Sequence, residues 1–176
     1  MTADEFLALP EHKFIELIDG ELIVHQPNLR HQRILTQLVG SFVIWQREVP
    51  GRGVPLLNPN VLVDEHTVLG PDLVWLREPP RLAGAYLLAE MLDLVVEVRS
   101  PSTGRYDDRR KRAIYEEAGV AEYWRIDGDK ASVRIDRRST PDAPAFDVHV
   151  IVGVGDPLTS PLLPGLTIDL GELLDR

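Results

Sequence analysis

The run LDLVVEVRSPSTGRYDDRRKRAIY, residues 92–115, constrains the fold of this chain more than any other. It begins as a strand too apolar for a surface position, with Leu92, Leu94, Val96 and Val98 on one face and Asp93, Val95, Glu97 and Arg99 on the other. Ser100-Pro101-Ser102-Thr103 then offers caps and a break before a basic helix over 106–118, which Gly119 terminates. The short segment Gly70-Pro71-Asp72-Leu73-Val74-Trp75-Leu76 reads as its partner strand, and the rest of the chain as support.

Upstream, Thr2-Ala3-Asp4-Glu5 has capping-box form and predicts a short helix over 3–9, closed by Pro10. Residues 13–27 read as two short strands around Asp19-Gly20, a dipeptide suited to a type I′ turn. Ile34, Leu35, Leu38, Phe42 and Trp45 recur at helical spacing, so 28–48 is one amphipathic helix with His31 on its apolar stripe. Residues 52–55 read as a turn and 56–64 as one strand that Pro59 interrupts, which makes it an edge or bulged strand. Residues 122–127 and 132–136 form a hairpin about Gly128, 146–152 is a further strand, and a turn-rich tail ends in a short strand and a helical turn near 170–174.

A chain of 176 residues fits one domain, 1–176, able to bury roughly two thirds of its unfolded surface. With no cysteine, disulfides, zinc–thiolate sites and thiol nucleophiles are excluded, and a reducing cytoplasm is the expected compartment. No apolar run approaches the roughly 18 residues of a membrane span and the first residues are acidic where a signal peptide is basic, so no membrane partner is expected. A net charge of -9 argues against non-specific coating of nucleic acid. Between Arg99 and Arg112, however, six bases stand against two acids, either a solvated helix face or a local surface for phosphate.

Antiparallel pairing of 72–76 with 92–99, the simplest arrangement for consecutive strands, sets Asp72 beside Glu97. Two adjoining carboxylates repel unless a cation offsets them, and Mg²⁺ suits a site with one or two carboxylates, several waters and a substrate phosphate. On the helix, Asp107, Lys111, Ile114 and Ala118 share a stripe; if the apolar pair faces the sheet, Lys111 turns toward the carboxylates. Lysine is scarce here, at positions 13, 111 and 130 only, and an ammonium can orient a water or steady a developing phosphorane oxygen. Each residue also has a plainer reading: Asp72 as a turn cap, Glu97 in a structural salt bridge, Lys111 snorkelling from a helix edge, His31 as a hydrogen-bonded histidine at the core's edge. Glu16 is either an outer-face strand residue or a further acid at the site, and Tyr123-Trp124 reads as core.

Taken together, Glu16-Leu17-Ile18-Asp19-Gly20-Glu21, His31, Gly70-Pro71-Asp72, Glu97-Val98-Arg99-Ser100-Pro101-Ser102-Thr103, Asp108, Lys111, Tyr115 and Gly119-Val120-Ala121-Glu122-Tyr123-Trp124 resemble the Uma2 family, also called DUF820, of restriction-endonuclease-like proteins within the PD-(D/E)XK nuclease superfamily. The resemblance spans 16–127. It implies an α/β (α+β) fold with a mixed β-sheet flanked by helices. It also implies a divalent metal, Mg²⁺ or alternatively Mn²⁺, on Asp72, Glu97 and the Val98 carbonyl, and hydrolysis of DNA phosphodiesters. The superfamily's usual lysine lies two residues after the acid, where this chain has Arg99; the resemblance implies that Lys111 on the next helix takes its place. Glu16, Asp19 and His31 are secondary candidates around the same pocket. Symmetric dimerisation would suit cutting of both DNA strands. The competing expectations are a fold retained as an inactive module for DNA or protein binding, and a hydrolase of RNA or of small phosphodiesters.

Overall fold

The computed structural model describes residues 1–11, 13–80, 86–99 and 105–174. In chain order its elements are α1 (Ala3–Leu7), β1 (Ile15–Ile18), β2 (Glu21–Val24), α2 (Leu29–Glu48), β3 (Val54–Leu57), β4 (Val61–Asp64), β5 (Thr67–Leu69), β6 (Leu73–Leu76), β7 (Leu87–Leu88), a 3₁₀ turn (Ala89–Met91), β8 (Leu94–Val98), α3 (Arg105–Glu117), β9 (Glu122–Asp127), β10 (Ser132–Arg137), β11 (Val148–Gly153), β12 (Pro157–Leu158), β13 (Ile168–Asp169) and α4 (Leu170–Leu174). Among the described residues they make a six-stranded mixed sheet, β11-β10-β9-β8-β6-β3, a five-stranded sheet, β2-β1-β5-β4-β7, and a small ribbon, β12-β13. None of the described helices is long and apolar enough to cross a membrane.

Side-chain alternation decides the layering. On one face of the large sheet Leu73, Trp75, Leu94, Val96 and Trp124 pack against Ile34, Leu38, Phe42 and Trp45 of α2 and against the tail that carries α4. Burial of side chains of this size contributes about 1.5–3 kcal/mol each. The other face offers Val74, Val95 and Tyr123 to Tyr115 of α3 and to Ile18, Val61 and Leu69 of the smaller sheet. On that sheet's outer side lies α1, closed over Leu17 and Val68 by Ala3 and Phe6.

The local signals explain most boundaries. Thr2 and Glu5 form the capping box of α1, and Asn28 caps α2 by accepting from the His31 amide. Asp19 and Gly20 take φ of 50° and 81°, as a type I′ turn between β1 and β2 requires. α3 ends at Gly119, whose φ is 84°. The predicted cap at Ser100-Pro101-Ser102-Thr103 and the side chains of Asp107 and Asp108 lie outside the described residues.

Two expectations fail in an informative way. Residues 56–64 are not one interrupted strand: β3 starts at Val54 and belongs to the large sheet, whereas β4 belongs to the small one. Asn58, at φ 44°, and Pro59 carry the chain between the sheets. β5, absent from the sequence reading, leads the chain into its return crossing at Gly70-Pro71-Asp72. The two crossings touch through Asn58 N–H donating to the Asp72 carbonyl at 3.1 Å.

Candidate active site

The crossing at 70–72 and the end of β8 meet as the pairing rule requires. β6 and β8 run antiparallel with Leu73 opposite Val96, so Asp72 and Glu97 are the next facing residues. The Asp72 Oδ2 accepts from the Val98 amide at 2.7 Å and lies 3.0 Å from His31 Nε2. His31 reaches it from the first turn of α2, nearly buried and with its Nδ1 lacking a partner among the described residues.

Lys111 projects inward from α3, only 5% exposed. Its ammonium lies 2.9 Å from Glu16 Oε1 and 3.0 Å from Glu97 Oε1, bridging the two sheets. Glu16, 1% exposed on β1, also accepts from the Gly70 amide at 2.7 Å and meets His25 Nε2 at 2.5 Å. Tyr115, one turn beyond Lys111, donates its hydroxyl to Glu97 Oε1 at 3.0 Å.

The same ammonium affects the two glutamates differently. For Glu97, burial is the largest influence and the Asp72 and Glu16 carboxylates add to it; Lys111 opposes them incompletely, and its carboxyl is pushed up to about 8. Burial also weighs on Glu16, but Lys111 and His25 together outweigh it and hold that carboxyl at about 2. Burial, reinforced by Glu97, raises the Tyr115 phenol well above its ordinary value, so it remains a donor.

Asp72, Glu97, Val98, Lys111 and His31 line one cleft of about 790 Å³, with Glu16 immediately behind Gly70. Asp19 does not join them. It sits at the tip of the β1–β2 hairpin, paired with Arg110, and lines a different depression. The basic run of α3 is likewise divided: Arg110 holds that hairpin, Lys111 the carboxylates and Arg112 pairs with Glu116 and Asp136, while Arg109 faces the cleft. Arg99, two residues after Glu97, is paired with Asp127 at 2.7 Å.

The sequence reading passed over His25, although hairpin arithmetic places it. With Glu16 opposite Ile23, His25 lies two residues farther on the same face, diagonal to Glu16. Tyr115 carries no role of its own in the sequence motif; its spacing of four from Lys111 is the available signal.

The comparisons bear on the whole chain. No curated protein matches the sequence. Among solved structures, one described as "a putative nuclease belonging to DUF820" from Anabaena variabilis ATCC 29413 superimposes with a TM-score of 0.82, covering 99% of this chain and 98% of that one at 21% identity, which establishes a shared fold. The Uma2 family model, described as "Putative restriction endonuclease", matches residues 3–171. The chain therefore belongs to the Uma2 family.

Proposed function

We propose that this protein is a metal-dependent endonuclease that hydrolyses DNA phosphodiesters in the cleft between its sheets. The observation that carries the reading is the convergence of Asp72, Glu97 and Lys111 from a sheet crossing, a strand end and a helix onto one wall.

The residues fit a hard divalent cation. Glu16 and Glu97 flank the Lys111 ammonium with Asp72 facing Glu97 across the strands, and hydrogen bonds engage Oδ2 of Asp72 and Oε1 of Glu97, leaving Oδ1 and Oε2 without a hydrogen bond among the described residues. Val98 presents its backbone to Asp72, and within an extended residue the amide and carbonyl face the same edge. Two carboxylates and a carbonyl form a sparser set than a cage of three acidic or histidine side chains, which the described residues lack, and Mg²⁺ accepts sparse sets because it retains several waters. Asp72, Glu97 and the Val98 carbonyl would hold Mg²⁺ or Mn²⁺; bound there, the ion supplies a water acidic enough to attack near neutral pH and offsets charge on the phosphate.

The remaining roles belong to the chain. Lys111 orients the attacking water and donates to the oxygen on which charge develops. Glu16 anchors that ammonium, with His25 and the Gly70 amide holding Glu16 in turn. His31 and the Val98 amide fix Asp72, and Tyr115 fixes Glu97. A rigid supporting shell of this kind keeps attacking and leaving groups in line.

One observation favours a second reading, an inactive binding module: Lys111 already partners Glu16 and Glu97 and so makes the cluster stable as a structural ion pair network. Nicking of supercoiled plasmid with Mg²⁺ or Mn²⁺, against an EDTA blank, separates the two. Activity that disappears in Asp72→Ala and Glu97→Ala and falls steeply in Lys111→Ala supports the nuclease. Absence of cleavage of both supercoiled plasmid and single-stranded DNA by folded, metal-replete protein refutes it.

A further inference from the structure

The large sheet extends well past the carboxylates, and its register draws a line across it. Glu97 on β8 faces Arg125 on β9, Arg125 faces Arg134 on β10, and Arg134 faces Ile151 on the edge strand β11. These side chains share one face and one row, perpendicular to the strands. At a strand spacing of ~4.8 Å, Arg134 stands ~10 Å from the strand of Glu97.

α3 covers the neighbouring row, where Tyr115 packs on Tyr123 and Arg112 meets Asp136, and leaves the arginine row open to the cleft. Arg125 is held by Asp136, with its Nε lacking an acceptor among the described residues. Arg134 and Arg109 are exposed on the cleft and make no hydrogen bond or ion pair among the described residues. On a protein of net charge -9, this concentration of cations beside the carboxylates calls for an anionic occupant.

The opposite lip carries Phe14. Its φ of 62° is a left-handed conformation that a bulky side chain rarely adopts, and the residue remains 41% exposed, with the Lys13 ammonium 4.9 Å from the ring centroid. Ile151, 66% exposed, ends the arginine row. A charged groove combined with exposed ring and apolar surface is the chemistry of single-stranded nucleic acid, whose bases are free to stack. A duplex keeps its bases paired and stacked, and so offers Phe14 no free base face.

Resting on the nuclease reading, we propose that the substrate strand enters this cleft unpaired, with its phosphates along Arg134 and Arg109 and a base on Phe14. Its backbone crosses the sheet from Glu97 toward β11.

The test is fluorescence anisotropy in EDTA, with a short fluorescein-labelled single-stranded deoxyoligonucleotide and the same strand annealed to its complement, over a series of salt concentrations. The expected result is single-strand binding about tenfold tighter than duplex binding. Arg134→Ala should weaken it and make the log–log salt slope shallower by about 0.7, one phosphate contact on a single strand. Phe14→Ala should weaken binding roughly tenfold with the salt slope unchanged. Thermal melts establish that both variants are folded, and Arg134→Lys, which keeps the charge, should retain the wild-type slope.

Equal or tighter duplex binding, or folded Arg134→Ala and Phe14→Ala variants that bind like wild type, overturns the proposal. The two readings fail separately: plasmid nicking without any strand preference removes the strand track and leaves the nuclease, whereas strand preference with no Mg²⁺- or Mn²⁺-dependent cleavage of either the bound single strand or plasmid leaves the track and removes the nuclease.

Discussion

Replacing Lys111 by methionine keeps an unbranched side chain of similar length and deletes the charge that Glu16 and Glu97 share. Breaking a buried ion pair by removing one partner costs about 3–5 kcal/mol. The lower end applies, because Glu16 keeps His25 and the Gly70 amide and Glu97 keeps the Tyr115 hydroxyl. At about 2–4 °C per kcal/mol for a domain of this size, a loss of about 3 kcal/mol lowers Tm by roughly 6–12 °C near neutral pH.

The pH dependence is the sharper test. Glu16, held at about 2, contributes stability that is present above its ordinary value of 4.5 and lost as pH falls through about 2. The variant lacks most of that contribution, so the gap to wild type narrows as pH drops below about 5. Glu97 is already raised to about 8, so its contribution is present below 4.5 and lost as pH rises through 8; without Lys111 its ionisation costs still more, and the gap widens on the alkaline side. Urea unfolding from pH 4 to 9 therefore gives a difference that grows with pH. A difference under about 1 kcal/mol that does not vary with pH would refute the counter-ion argument and return Lys111 to a snorkelling helix-edge residue.

Three further outcomes follow from particular contacts. His31→Ala removes the ring beside Asp72 Oδ2 and, if Asp72 holds the ion, should raise the half-saturating Mg²⁺ for plasmid nicking by about 10–100-fold while the protein stays folded; an unchanged Mg²⁺ curve would assign His31 to packing alone. Gly53→Ala drives a Cβ into the Leu76 carbonyl oxygen and to 2.8 Å from the Trp75 ring at a φ of +66°, so urea unfolding should register a loss of about 2–4 kcal/mol. In Glu122→Gln, an amide replaces a carboxyl whose titration burial pushes up and which accepts from Trp124 at 2.6 Å and Ser160 at 2.7 Å. The protonated acid's advantage is present below 4.5 and lost as pH rises, so wild type should exceed the variant by about 1 kcal/mol at pH 4–5 and lose that margin toward alkaline pH, as followed by thermal melts.

What could be read from the sequence was whatever one period or one pairing rule determines. Asp72 falls beside Glu97 because consecutive apolar strands pair antiparallel, and Lys111 faces inward because Ile114 and Ala118 fix its helix face. Glu16 stayed undecided for a physical reason: Glu16, Leu17 and Ile18 are all buried, since α1 covers one face of β1 and the large sheet's layer covers the other, and alternation in a strand buried on both faces carries no direction. The division of 56–64 between two sheets was hidden because β3 and β4 are short, apolar and nearly contiguous, so Pro59 reads equally well as a bulge or a crossing. The basic run stays open between a solvated face and a phosphate surface because composition has no direction: about 100° of rotation per residue sends Arg109, Arg110, Lys111 and Arg112 to different neighbours. Arg125 and Arg134 are nine positions apart in the chain and become neighbours only through the β9–β10 register.

The site also occupies a seam that both sheets and two helices must reach to complete it. Glu16 and His25 come from the small sheet, Asp72 from the crossing between sheets, Glu97 from the large sheet, Lys111 and Tyr115 from α3, and His31 from α2. The Gly70 amide, bonded to Glu16, lies on the crossing itself, so the small sheet cannot shift against the large one without breaking the contact that holds Lys111. A cluster assembled from five separate pieces is costly to order, and most of that cost falls on packing that the two cores supply. It follows that core substitutions remote from the cleft, such as shortening Trp45 against Trp75, should reduce stability before they alter the carboxylate geometry, whereas Glu16→Gln, which retains the hydrogen-bonding shape and removes only charge, should disturb Lys111 with little change in core packing.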